Sequence, residues 1–230
     1  MEVHQVTDLI YMLTKDDVTI PNALEVVDEI MDTNLRYIGF KDPQEGGLPV
    51  DKYKPLMAKL RETDMEIFIE IVSESEELNL RSTKMAVDLG VDFVCGGTFI
   101  DSSMQALAGT EIGFFPYIGQ IVGHPCILEG SIEEIAEEGK MVKKKGIAGI
   151  NLLAYRREPA SEVPLLIQEV QKAVGLPLII AGSINSYERI EKMKELDVWT
   201  FTIGGAIQDG IFVPGGTIKE NINAVLEVLK

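Results

Sequence analysis

Leu178-Ile179-Ile180-Ala181-Gly182-Ser183-Ile184-Asn185-Ser186 is followed, after one charged segment, by Thr200-Phe201-Thr202-Ile203-Gly204-Gly205-Ala206-Ile207. Both are short apolar runs that stop on glycine. The intervening residues 187–196 carry Glu and Lys among apolar residues at helical spacing. The unit is therefore strand, glycine turn, helix, strand.

Working outward, the same alternation runs through the whole chain. Residues 9–13, 35–41, 66–72, 92–96, 113–118, 149–153, 178–181 and 200–204 read as buried strands. Residues 21–32, 50–62, 76–89, 103–108, 132–145, 162–174, 187–196 and 218–229 read as amphipathic helices. Pro21 suits a first helical turn. Ser131 with Glu134, and Thr217 with Glu220, have the spacing of capping boxes. Gly90, Gly146 and Gly175 fall just past helix ends, where a left-handed residue is favoured. Eight βα units in 230 residues leave little room for a second domain, so 1–230 reads as one unit. The fold expected is a single (β/α)8 TIM barrel, for which about 250 residues is typical. An open doubly wound sheet is the competing architecture. No Gly-x-Gly-x-x-Gly follows the first strand to support it.

Composition narrows the function. The chain is 46% hydrophobic and 25% charged, an ordinary globular balance. Lys+Arg 21 against Asp+Glu 37 gives a net charge of -16, whose field repels nucleic acid and anionic membranes. A small phosphorylated ligand stays allowed, because it responds to a local cluster of donors. The first apolar run, residues 9–13, is too short for a signal peptide. The uncharged run 112–128 is broken by Gly113, Pro116, Gly119 and Pro125. The two cysteines, Cys95 and Cys126, imply neither a disulfide framework nor a zinc site. A cytoplasmic location is expected.

The turns after the seventh and eighth strands are the expected phosphate site. Gly182, Ser183 and Ile184 lie in one, and Gly204 and Gly205 in the other. Glycine lets the backbone approach a ligand, and successive amides suit an anion. Residues 206–209 have the length of a short extra helix. Ala181-Gly182-Ser183-Ile184 and Thr202-Ile203-Gly204-Gly205-Ala206 resemble the paired phosphate turns of the ribulose-phosphate-binding barrel superfamily. Over the whole chain the sequence is more similar to a bacterial barrel family whose members have sometimes been labelled hydroxythreonine-phosphate dehydrogenases. The segments that carry this likeness are Met12-Leu13-Thr14-Lys15-Asp16, Ile38-Gly39-Phe40-Lys41-Asp42, Gly96-Gly97-Thr98, Val122-Gly123-His124-Pro125 and Leu152-Leu153-Ala154-Tyr155-Arg156. The resemblance implies a barrel fold and a phosphorylated ligand. An oxidoreductase of the dehydrogenase type is implied by that label alone.

Strand parity selects the catalytic candidates. Ile67, Ile69 and Ile71 suit the helix layer, which turns Phe68, Glu70 and Val72 inward. Ile38 and Phe40 likewise turn Tyr37, Gly39 and Lys41 inward. Glu70 and Lys41 are thus expected to face each other near the C-terminal mouth. A charge there is costly unless paired, so the pair is either a buried bridge or a base beside an ammonium acid. Asp42 follows at the strand end and can orient Lys41 or bind a substrate hydroxyl. His4 lies in a polar tail, whereas His124 lies in the loop 119–131, which can cover the mouth. It is a candidate second acid/base near neutral pH. Lys15 and Arg156 end the first and sixth strands and can supply local positive charge. Thr98 can bond a substrate hydroxyl, and Asn151 joins the substrate-binding candidates with its facing left open by parity.

The expected function is an enzyme acting on a small phosphorylated sugar or related metabolite. Proton abstraction next to a carbonyl would give isomerisation or epimerisation, with no cofactor and no metal. One alternative is an aldolase or decarboxylase using a Schiff base on Lys41. Another is a non-catalytic phosphometabolite-binding barrel. The substrate is the only partner expected, and a homo-oligomer stays open.

Overall fold

The computed structural model describes residues 6–73, 75–123 and 126–230. Eight parallel strands form one sheet in the order β10-β11-β12-β1-β4-β5-β6-β7. They are β1 (Asp8–Met12), β4 (Tyr37–Lys41), β5 (Glu66–Ile71), β6 (Phe93–Gly96), β7 (Gly113–Phe115), β10 (Ile150–Leu152), β11 (Leu178–Ile180) and β12 (Thr200–Ile203). The first strand pairs with the last, Leu9 opposite Phe201. The remaining seam, between β7 and β10, is closed by a parallel bridge from Tyr117 to Asn151. Backbone bonds from Ala148 N to Phe114 O and from Asn151 N to Pro116 O, both 2.9 Å, reinforce it. The sheet is thus a (β/α)8 barrel.

The surrounding helices are α1 (Ala23–Ile30), α2 (Tyr53–Leu60), α3 (Glu76–Leu89), α4 (Ile100–Leu107), α5 (Ile132–Lys143), α6 (Val163–Val174), α7 (Tyr187–Glu195), the four-residue α8 (Gly205–Gln208) and α9 (Ile218–Leu229). Both capping boxes form as the sequence predicts, at Ser131 with Glu134 and at Thr217 with Glu220. Gly90 and Gly175 take the left-handed conformation after α3 and α6. Pro21 does not occupy a first helical turn, because α1 begins at Ala23 with Asn22 before it. No described helix is long and apolar enough to cross a membrane.

Two short hairpins decorate the C-terminal mouth, where the sequence predicts only loops. One pairs β2 (Thr14–Lys15) with β3 (Val18–Thr19), and the other β8 (Gln120–Val122) with β9 (Ile127–Glu129). The first turns on Asp16 and Asp17, both at positive φ (48 and 67). Positive φ at both central residues is what a two-residue turn needs to match strand twist, and Asp tolerates it better than most residues.

Two apolar layers follow from the alternation of side chains. Leu9, Tyr11, Ile38, Phe40, Ile67, Ile69 and Ile71 point outward into the helix layer. Ile10, Met12, Tyr37, Phe68, Cys95, Phe115 and Ile179 fill the barrel, with Phe93 and Trp199 packed against them. Phe115 stacks on Trp199 at 5.0 Å between centroids, and Phe68 on Phe93 at 4.5 Å. This aromatic plug fills the barrel below the polar side chains of the mouth.

Candidate active site

Lys41 ends β4 and Glu70 sits opposite it on β5, in register. Both point inward, at 7% and 6% exposure, and Lys41 Nζ lies 3.5 Å from Glu70 Oε2. The backbone of Lys41 is clamped. Its N–H donates to Thr19 Oγ1 at 2.9 Å, and its carbonyl accepts from Thr19 Oγ1 at 3.0 Å and Tyr53 OH at 2.9 Å. Thr19 belongs to the β2–β3 hairpin, and the tip of that hairpin brings the Asp17 carboxylate onto Lys41 Nζ. One hairpin therefore fixes both the backbone and the ammonium of Lys41.

The other oxygen of Glu70 is held from across the barrel. Tyr117 donates its hydroxyl to Glu70 Oε1 at 2.7 Å, and Asn151 Nδ2 donates at 3.4 Å. Asn151 faces inward, which settles its parity, while Ile150 and Leu152 join the helix layer. Its Oδ1 is buried without a hydrogen-bond partner among the described residues. Burial drives the Lys41 pKa down, but the Glu70 and Asp17 carboxylates outweigh it, and the net shift is upward. The side chain is held as an ammonium. Burial, and then the Glu70 charge, push the Tyr117 hydroxyl well above its ordinary value, so it stays a donor.

The other candidates divide. Asp42 is 1% exposed and faces away from this cluster. Its Oδ1 accepts from Val72 N and Gln44 Nε2, both at 3.2 Å, and its Oδ2 from Ser73 Oγ at 2.6 Å and Ser82 Oγ at 2.7 Å. The alternation that turns Lys41 inward turns Asp42 outward, where it ties the strand ends together. Lys15 is half exposed and paired with Asp209 at 2.5 Å, so its charge is already matched. Thr98 is exposed and lines a neighbouring cavity of about 400 Å³. His124 lies outside the described residues.

Lys41, Glu70, Asp17 and Tyr117 line one side of a cavity of about 640 Å³ at the barrel mouth. The two glycine turns line the same cavity. Gly182 and Ser183 have successive positive φ (80 and 57). Ser183 points its carbonyl away to Arg189, whose guanidinium lies 4.4 Å over the Tyr155 ring. The N–H groups of Gly182, Ser183, Ile184, Gly204 and Gly205 meet no acceptor among the described residues. Gly204 is needed for close packing, since a Cβ there would fall 2.2 Å from Thr14 Oγ1. A Cβ on Gly205 would meet nothing within 4 Å. Arg156, on the turn after β10, packs against Gly182, and its Nε is buried without a partner among the described residues. The arrangement offers amides and one guanidinium to an anion on one side, and an ammonium between two carboxylates on the other. Among the described residues no group of three His, Cys, Asp or Glu side chains is arranged to hold a metal ion.

Sequence reasoning missed Asp17, Tyr117 and Cys126, which also line the cavity. Tyr117 had a usable signal, because it shares the parity of the inward-facing Phe115.

No family model matches the sequence, and no curated protein sequence matches it. Solved structures do match over nearly the whole chain. Orotidine 5′-monophosphate decarboxylase from Methanocaldococcus jannaschii is 16% identical, covers 98% of this chain and 99% of its own, and gives a TM-score of 0.70. The tryptophan synthase alpha subunit of Campylobacter jejuni is 13% identical, covering 97% of this chain and 96% of its own, with a TM-score of 0.66. The YdjI aldolase from Escherichia coli K12 is 12% identical, covering 98% of this chain and 89% of its own, with a TM-score of 0.64. At such identities the likeness is one of fold, and a dehydrogenase likeness does not emerge from these matches. By architecture, the chain is a (β/α)8 barrel similar to those of these three proteins.

Proposed function

We propose that the protein is an enzyme that binds a small phosphate ester and moves a proton next to a carbonyl, as an isomerase or epimerase does. The observation that carries this reading is the Lys41 ammonium between Asp17 and Glu70, in a cavity shared with the unpartnered amides of two glycine turns. The phosphate would rest on the amides of Gly182, Ser183, Ile184, Gly204 and Gly205, with Arg156 beside them. Binding energy at that remote end would position the reacting carbon. Glu70 would take the proton, and Lys41 would stabilise the oxyanion or return the proton. Tyr117 and Asn151 hold one oxygen of Glu70 and leave the other towards Lys41.

The Asp17 and Glu70 carboxylates beside Lys41 favour an ammonium role over Schiff-base chemistry. A Schiff base needs a neutral amine, and this side chain is held charged. Borohydride with keto-sugar phosphates is therefore expected to trap no adduct. An ammonium can instead protonate the carbanion left by loss of carbon dioxide. Decarboxylation is accordingly the second reading, and one matched barrel carries that activity in its name.

The test is to incubate the protein in D2O with a panel of keto- and aldo-sugar phosphates and phosphorylated keto acids, and with their dephosphorylated counterparts. NMR follows exchange of the C–H beside the carbonyl. The reading expects exchange for at least one phosphate ester and none for its dephosphorylated form. Exchange that ignores the phosphate would remove the glycine turns from the account. Carbon dioxide release from phosphorylated acids without exchange would favour the second reading.

A further inference from the structure

Ser183 is the one residue of the two glycine turns that takes a left-handed backbone without being glycine, at φ 57. A side chain makes that conformation costly, so it persists where neighbouring groups hold it. The neighbour here is the half-buried Arg189 of α7, whose guanidinium donates to the Ser183 carbonyl. The same guanidinium lies 4.4 Å over the Tyr155 ring, and the Arg189 backbone N–H donates to Ser186 Oγ at 3.3 Å. Neither Arg189 nor Tyr155 lines the main cavity, whereas Ser183 and Ile184 do. The Ser183 carbonyl therefore points out of the cavity. The peptide bond that follows it is trans, so its carbonyl and its N–H point in opposite directions. With the carbonyl turned out to Arg189, the Ile184 N–H is turned in, where it meets no acceptor among the described residues.

We infer that Arg189 is a positioning residue of the anion site. From outside the cavity it holds the Ser183–Ile184 peptide so that the Ile184 N–H faces the ligand's phosphate, and Tyr155 holds Arg189 in place. The inference rests on the phosphate-ester reading and adds what arranges its donors in advance. Donors already aimed at an anion bind it without first reorganising. Without the guanidinium, the peptide is free to rotate and bring the Ser183 carbonyl into the cavity. A carbonyl oxygen there repels the anion that an N–H attracts.

The experiment is titration with inorganic phosphate, read by calorimetry and by amide NMR of the isotope-labelled protein. Wild type is compared with Arg189→Met, Arg189→Lys, Tyr155→Leu, Tyr155→Phe and Lys192→Met. Lys192 lies on the same helix with its ammonium on Glu195, so Lys192→Met reports the loss of a nearby positive charge alone. Arg189→Met is expected to weaken phosphate binding at least about tenfold, the worth of one hydrogen bond to a charged group. Arg189→Lys keeps a donor and should recover at least about threefold of that loss. Tyr155→Leu should weaken binding about two- to fivefold, and Tyr155→Phe, which keeps the ring face, should not. Lys192→Met should stay within about twofold of wild type, since an exposed charge is screened by solvent and salt. In wild type, phosphate should shift the amide signals of Ile184, Gly204 and Gly205. In Arg189→Met it should still shift the two glycines and leave Ile184 unmoved, a pattern that general damage to the fold does not produce. Tyr155→Leu carries the same comparison if Arg189→Met does not fold. The inference is overturned if Arg189→Met binds as wild type does, if Lys192→Met loses as much, or if Ile184 responds equally in both proteins. Absence of any phosphate binding by wild type would overturn the phosphate-ester reading itself, and this inference with it. Equal binding by wild type and Arg189→Met removes the inference alone.

Discussion

Lys41 Nζ lies 3.5 Å from Glu70 Oε2, on neighbouring parallel strands that pair residue for residue. Neither group depends on the other alone. Asp17 also pairs with Lys41, and Tyr117 and Asn151 also donate to Glu70. Breaking a buried pair costs about 3–5 kcal/mol when the partner is left uncompensated. Glu70→Gln leaves the ammonium on Asp17, so it is expected to cost less than about 2 kcal/mol. The double variant Asp17→Asn with Glu70→Gln strands Lys41 and should reach the full range. Urea unfolding of the single and double variants measures both. A single variant as damaging as the double would mean that Asp17 does not share the charge.

Alkaline pH should destabilise the fold in a defined order. Cys95, Tyr117 and Lys41 all have pKa values raised on folding, the first two by burial and then the Glu70 charge, and Lys41 by its carboxylates against burial. The folded state then holds protons that the unfolded chain releases, so the stability these groups contribute falls as pH rises. The loss begins near pH 9, the ordinary value for a thiol, and continues through the ordinary tyrosine and lysine values of 10.0 and 10.5. The urea midpoint should be lower at pH 10 than at pH 8, and Cys95→Ala should remove the earliest part of the decline. A midpoint that stays flat or rises over this window would contradict the assignment.

The two glycines of the last turn should behave differently. Alanine at position 204 places a Cβ 2.2 Å from Thr14 Oγ1 and 2.9 Å from the Thr14 carbonyl. Overpacking of that kind costs about 1–3 kcal/mol. Gly205 opens on the cavity, so Gly205→Ala should stay within about 0.5 kcal/mol of wild type. Gly205→Glu should fold equally well and weaken inorganic phosphate binding at least about tenfold, through like charge. Melting curves with phosphate calorimetry on the three variants check this. Undiminished phosphate affinity in Gly205→Glu would move the anion elsewhere.

Asp42→Ala should act on stability rather than on the cavity. It removes the acceptor of four donors at a position 1% exposed, leaving Ser73, Ser82, Gln44 and the Val72 amide to find new partners. Buried donors without acceptors cost about 1–3 kcal/mol each, so a loss of at least about 2 kcal/mol is expected. Denaturant unfolding of Asp42→Ala is the check, and a change below about 0.5 kcal/mol would show the network to be dispensable.

Much of this could be read from the sequence, for physical reasons. A strand buried on both faces leaves a dense apolar run, and eight such runs with capped helices between them admit few arrangements besides a barrel. Parity then placed Lys41 and Glu70 inside, because a one-residue slip would turn every side chain to the other layer. The hairpins were not legible. Strands of two and three residues have no measurable period, and the β2–β3 turn uses Asp16 and Asp17 where glycine would have announced it. Asp17 was lost for that reason. Asp42 reads as a mouth residue because it follows Lys41, although alternation sends it outward.

Glu70 is proposed to move a proton on a phosphate ester while Lys41 stays charged. The most direct measurement is the rate of C–H to C–D exchange in D2O, for the best phosphate ester of the panel, in wild type and in Glu70→Gln. Loss of a general base removes about 10²–10⁴ of rate, so Glu70→Gln should exchange at least about a hundredfold more slowly. It should still bind inorganic phosphate as wild type does. Equal exchange rates in the two proteins, with phosphate bound equally well, would contradict the account.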